Sequence, residues 1–134
     1  MQRQTNRFVL FAGIAFLTFA EAFFTHLGSL RTLAENAAAL GISPETARLR
    51  LGVLSLWDLL AALGAGLVTA GLTRFLKPAW IPRGIRLTLL GLLGYALTQT
   101  LLAIFVPDSS ARLNAGGMAL LYLGLAILVW RLRR

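Results

Sequence analysis

Three side chains able to move a proton fall inside long apolar runs of this chain: Glu21 and His26 in the first, Asp58 in the second. A charged side chain at bilayer depth costs about 2.5 kcal/mol or more unless it is neutralised, paired or wetted. Three chemistries can justify the placement. The carboxyl can belong to a hydrogen-bond network that ties helices together. It can exchange a proton or hold a cation. It can act with an imidazole as acid and base. Further polar groups lie in the later runs. Tyr95 and Gln99 are four apart on one face of the third, and Met118 and Tyr122 on one face of the fourth. Trp57 adjoins Asp58.

Around Glu21 the polar and small residues Thr18, Thr25, Gly28, Thr32 and Glu35 recur at spacings of three and four, one face of a helix. This stripe is expected to face neighbouring helices, with the Phe, Leu and Val face toward lipid. His26 points away from the stripe, so a pair with Glu21 inside one helix is not expected. An interfacial histidine is the simpler reading of it, ahead of a catalytic one.

The elements that must position these groups are four apolar runs, Phe8 to Leu30, Leu51 to Leu72, Ile85 to Val106 and Leu113 to Trp130. Each is long enough to cross a hydrocarbon core of about 30 Å at about 1.5 Å per residue. In 134 residues, 57% are hydrophobic and 13% charged, more apolar surface than a soluble domain of this size buries. The first run has signal-peptide features, a basic start and small residues at Ala20 and Ala22. Its apolar character continues to Leu30, so a retained span is expected.

Zero cysteines exclude disulfides, thiolate metal sites and cysteine nucleophiles, and a single histidine makes a multi-histidine metal or haem site improbable within one chain. No cofactor or metal is expected. The net charge of +8 comes from residues that flank the apolar runs. Anionic lipid headgroups are therefore the expected partner, not nucleic acid.

Between the runs, Arg31 to Leu40 reads as an amphipathic continuation of the first helix, stopped by Gly41. Ser43-Pro44-Glu45 is a helix start, with Ser43 as N-cap. Arg74 to Arg83 is a short basic loop anchored by Trp80, and Pro107 to Ser110 a turn in which Ser109 or Ser110 caps the last helix. The many Gly and Ala residues read as helix-packing stripes. Nine of the 13 basic residues fall with the two termini and the Arg74–Arg86 segment, and four, Arg31, Arg48, Arg50 and Arg112, on the other side. The positive-inside rule then puts both termini in the cytoplasm.

With that orientation, depth follows from helical rise. Glu21 lies about 14 Å below the outer end of its run, Asp58 and Gln99 about 10 Å, Tyr95 about 16 Å and Tyr122 about 14 Å. All four spans thus carry a polar side chain in the outer half of the bilayer.

Residues Ala34-Glu35-Asn36, Arg50-Leu-Gly-Val-Leu-Ser-Leu-Trp-Asp-Leu-Leu60 and Leu76-Lys77-Pro78 resemble part of an uncharacterised bacterial integral-membrane family, over about Thr32 to Pro78. That resemblance implies a membrane setting and no activity. Ala20-Glu21 is similar to the Ala-Glu pair of small multidrug-resistance exporters, four-helix proteins in which the acid couples protons to cation export. This chain departs from them in its long outer loop, its added Asp58 and its clear charge bias.

The expected fold is a single all-α domain over 1–134: a four-helix transmembrane bundle, up-down-up-down, with the first two helices extended outside a bacterial inner membrane. The first functional expectation is a non-enzymatic scaffold or accessory subunit, packing as a homo-oligomer or in a larger complex. The second is a transporter or binder of lipophilic cations, with Glu21 and Asp58 as the charged groups and Trp57, Tyr95, Gln99 and Tyr122 lining the site. The third is an intramembrane enzyme using Glu21 or Asp58 with His26.

Overall fold

The computed structural model of the chain describes residues 2–132, with side-chain surroundings for residues 6–131. Arg133 and Arg134 of the basic tail lie outside the described residues, as do the surroundings of Arg3. The described regular structure is helical: α1 (Gln2–Ser29), α2 (Leu33–Leu40), α3 (Pro44–Leu72), α4 (Ile81–Phe105) and α5 (Ser109–Leu132), with 3-10 turns at Leu30–Thr32 and Pro78–Trp80. Four helical stretches, Asn6–Leu40, Pro44–Leu72, Pro78–Phe105 and Ser109–Arg131, are long and apolar enough to cross a membrane.

The caps explain several boundaries. Gly41 closes α2 with φ +64°, and its N–H and that of Ile42 bond to Ala38 O and Ala37 O at 3.1 Å. That is the left-handed C-terminal turn for which glycine is suited. Ser43 Oγ accepts the Thr46 N–H at 3.2 Å and Pro44 occupies the first turn of α3. At α5 the cap differs from expectation. Asp108 Oδ2, not Ser109 or Ser110, accepts the Ala111 N–H at 2.7 Å. A carboxylate is the stronger acceptor and also complements the helix dipole. The basic loop is shorter than Arg74 to Arg83, since α4 begins at Ile81 with Pro82 in its first turn and Arg83 lies 4.7 Å over the Trp80 ring.

The expected continuous first helix is broken. Thr32 has φ −109° and ψ 37°, and Asn36 Nδ2 donates to Ser29 O and Thr32 O at 3.0 Å each. Ser29 Oγ donates to Thr25 O at 3.0 Å. Ser, Thr and Asn side chains compete with backbone groups for hydrogen bonds. Their clustering here tightens one turn into a 3-10 segment between α1 and α2.

α3 packs between α1 and α4, and α4 packs on α5. Residue pairs show antiparallel neighbours: Phe16 beside Gly66 and His26 beside Asp58 for α1 and α3, Ile81 beside Gly71 and Trp57 beside Gly94 for α3 and α4. The α3–α4 seam is where the small residues act. A Cβ on Gly84 would sit 2.6 Å from Gly64 O, and one on Gly91 2.6 Å from Ala61 N. The two backbones are in contact there. Not every glycine packs in this way. Among the described residues, Gly13, Gly28, Gly52, Gly116, Gly117 and Gly124 have nothing within 4 Å of a built Cβ.

α1 is the least enclosed helix: 6% of its most apolar 18 residues are buried, against 44% for α3. Its polar stripe does not face the bundle. Thr18, Glu21, Thr25, Gly28, Thr32 and Glu35 are all exposed. The face packed inward carries Ala15, Phe19, Ala22 and His26. Phe19 fills the space beside Tyr122, ring centres 6.1 Å apart, and Ala15 and Ala20 pack against the same core.

Gly84→Ala forces the α3 and α4 backbones apart and should lower unfolding stability in detergent by about 1–3 kcal/mol. Gly124→Ala meets open space and should leave stability unchanged or raise it by up to about 1 kcal/mol. Equal effects of the two substitutions on reversible unfolding would refute the tight α3–α4 seam.

Candidate functional site

Asp58 is the centre of the polar interior. It sits two turns into the apolar part of α3 and is 0% exposed. Each of its oxygens has a partner from a different helix. Oδ2 lies 2.7 Å from His26 Nδ1 of α1, and Oδ1 accepts from the Tyr122 hydroxyl of α5 at 3.2 Å. At 2.7 Å the imidazole nitrogen and the carboxyl oxygen are within hydrogen-bond distance. Tyr122 donates on the other oxygen, so both sides of the carboxyl are engaged by protein.

α4 completes the cluster. The Tyr95 ring stacks on Tyr122 with centres 3.8 Å apart and planes 10° apart. It also lies 5.9 Å from the His26 ring. Tyr95 is 2% exposed and Tyr122 7%. One turn along α4, Gln99 Nε2 donates to the Tyr95 hydroxyl at 3.2 Å. The two stacked tyrosines therefore fill the middle of the bundle, Tyr122 bonded to Asp58 and Tyr95 to Gln99. Aliphatic side chains close around them, with Leu54 and Leu92 fully buried and Met118 packed alongside.

Two buried polar atoms near Tyr95, Gln99 Oε1 and Arg50 Nε, have no hydrogen-bond partner among the described residues. Elsewhere the interior polar groups are satisfied locally. Ser55 Oγ donates to Leu51 O at 2.7 Å, Thr88 to Gly84 O at 3.0 Å and Thr69 to Ala65 O at 2.9 Å. Such back-bonding is how hydroxyls are accommodated inside apolar helices.

Of the residues singled out above, Asp58, Tyr95, Gln99 and Tyr122 come together, and His26 joins them. Trp57 points into the α3–α4 seam against Gly94, its Nε1 donating to Thr98 Oγ1 at 3.0 Å. Glu21 is elsewhere, on the outward face of α1, and makes no hydrogen bond among the described residues. The sequence offered no direct pointer to the His26–Asp58 pair. An indirect one existed: Ala15, Phe19, Ala22 and His26 repeat at spacings of four, three and four, a small-and-aromatic face suited to close packing.

Chemically, the cluster can do two things. It can hold four helices in one register, since α1, α3 and α5 meet at a single carboxyl and α4 stacks against them. It can also pass a proton between Asp58 and the imidazole, the most exposed member of the cluster at 18%. No metal-binding group of three or more acidic, histidine or cysteine side chains is present among the described residues. Comparison with protein families, curated proteins and solved structures finds no match to this chain.

His26→Ala removes one partner from a fully buried carboxyl. In a double-mutant cycle with Asp58→Asn, read by reversible unfolding in mixed micelles, the pair should show a coupling of about 1.5 kcal/mol or more, as for hydrogen bonds to charged groups. A coupling below about 0.6 kcal/mol, the average for ordinary polar pairs within membranes, would show that the pair holds little.

Proposed function

We propose that the chain is a small membrane-embedded accessory subunit whose polar interior fixes its own fold and whose α1 presents a polar face to a partner. The four candidate spans cross a bacterial inner membrane up-down-up-down in this reading, with both termini cytoplasmic. The basic flanks, including Arg74, Lys77, Arg83 and Arg86, rest against anionic headgroups there. α2 and the first turns of α3 extend outside.

The observation that carries this reading is the contrast between the two intramembrane acids. Asp58 is 0% exposed and bonded on both oxygens. Glu21 is exposed on the isolated chain at about 14 Å depth. An unpaired carboxylate facing hydrocarbon is expensive. A protein partner covering the α1 face removes that cost. A single-chain ligand site built from both acids is not supported, because the two face opposite ways.

A second reading is supported by the exposure of His26. The imidazole reaches the surface while its Nδ1 rests on Asp58, an arrangement suited to proton exchange in a transporter or binder of lipophilic cations. In that case Asp58→Asn abolishes transport or binding even under conditions where unfolding measurements show the variant to be folded. In the accessory-subunit reading Asp58→Asn acts through stability alone.

The accessory reading is tested by photocrosslinking in membranes of the native host. A benzophenone side chain placed at Thr18 or Thr25 should give a discrete protein adduct. The same probe at Leu97, 61% exposed on α4, should label lipid. Lipid labelling from all three positions would contradict a docking face on α1.

A further inference from the structure

Resting on the accessory-subunit reading, the geometry points to a partner of definite chemistry: a transmembrane helix that carries a lysine or arginine at the depth of Glu21.

The α1 face is polar in a specific way. Thr18, Glu21 and Thr25 lie within two turns on one side of the helix, all exposed. The interior hydroxyls of Ser55, Thr69, Thr88 and Thr98 each donate to a carbonyl four residues back. The Thr18 and Thr25 hydroxyls make no such bond among the described residues. They flank the Glu21 carboxylate one turn to either side, free to donate to an incoming group or to support the carboxylate as it takes a partner. Gly28 continues the face with nothing within 4 Å of a built Cβ, so a second helix can approach closely at that end.

Charge decides what that helix brings. The carboxylate needs a cation or a proton donor at bilayer depth. This chain has no lysine or arginine deep in an apolar run to offer a second copy. Its basic residues lie beside the runs or, for Arg86, at the second position of one, and the outward positions of α4 and α5 are occupied by Leu93, Leu97, Leu120 and Leu123. A two-fold pairing of α1 with α1 sets Glu21 against Glu21, which like-charge repulsion disfavours. A basic side chain on a different span pairs with Glu21 and takes the two threonine hydroxyls as neighbours. Within the bilayer a single pairing of this kind also sets which partner is selected, because a mismatched helix leaves both charges unpaired.

The test uses the full-length protein in phosphatidylcholine vesicles with a designed Leu/Ala peptide of about 20 apolar residues. The peptide carries Lys, Leu or Glu at its midpoint. The chain has no cysteine, so Ala79→Cys takes a single fluorophore for energy transfer. The Lys peptide should bind at least about tenfold more tightly than the Leu peptide, and Glu21→Gln should remove that preference. Thr25→Val should weaken it several-fold, a variant that keeps the carboxylate and cannot be dismissed as unfolded. Lys preference that survives in Glu21→Gln would overturn the proposal. So would the absence of any Lys preference. If that absence came with Glu21-dependent self-association, the docking face would stand and its occupant would be a second copy. Without self-association the accessory-subunit reading would fall as well.

Discussion

A carboxyl group with no access to water must find its hydrogen bonds in protein, and that requirement at Asp58 constrains most of this structure. Both of its oxygens are used, by His26 from α1 and Tyr122 from α5. Neither helix can rotate or slide by a turn without leaving a buried carboxyl half-satisfied, and α3 is pinned between them. α4 is tied in by the Tyr95–Tyr122 stack and by the glycine seam with α3. Apolar helices in a bilayer have little hydrophobic reason to prefer one register over another. Backbone contact at small residues supplies closeness, and the Asp58 cluster supplies uniqueness.

The two acids of the candidate spans then differ in direction, one inside the bundle and one on its surface. Asp58 is bonded on both oxygens within the fold, while Glu21 remains on the surface between two threonines whose hydroxyls make no hydrogen bond among the described residues. The buried and the exposed polar positions use the same residue types, and only the direction of the side chain separates them. α1 is the natural carrier of the outward group, since it is the helix least covered by its own chain.

Much of this was legible in the sequence. The four apolar runs, the Gly41 stop and the Ser43-Pro44 start follow from length, hydropathy and capping chemistry. That Asp58, Tyr95, Gln99 and Tyr122 fall at similar levels of the bundle follows from helical rise along antiparallel neighbours. The rotation of α1 was not legible. Periodicity divides a helix into faces but does not say which face packs. In a soluble protein the polar face would turn outward to water; in a membrane span the same face is expected to turn inward, and here it does not. That expectation favours an interfacial His26, whereas the structure sets the imidazole beside Asp58 at 2.7 Å. The break at Leu30–Thr32 escaped because it depends on Asn36 reaching back to the Ser29 and Thr32 carbonyls, a side-chain choice that hydropathy does not register.

The single histidine makes the central claim directly measurable. With 15N in the His26 ring and 13C in the aspartate and glutamate carboxyls, solid-state NMR in bilayers reads which carboxyl carbon the imidazole dephases through their dipolar coupling. The account predicts strong dephasing of the Asp58 carboxyl, abolished in Asp58→Asn, and none of the Glu21 carboxyl. Dephasing of Glu21, or of neither acid, would contradict a fold locked at Asp58 with Glu21 turned outward.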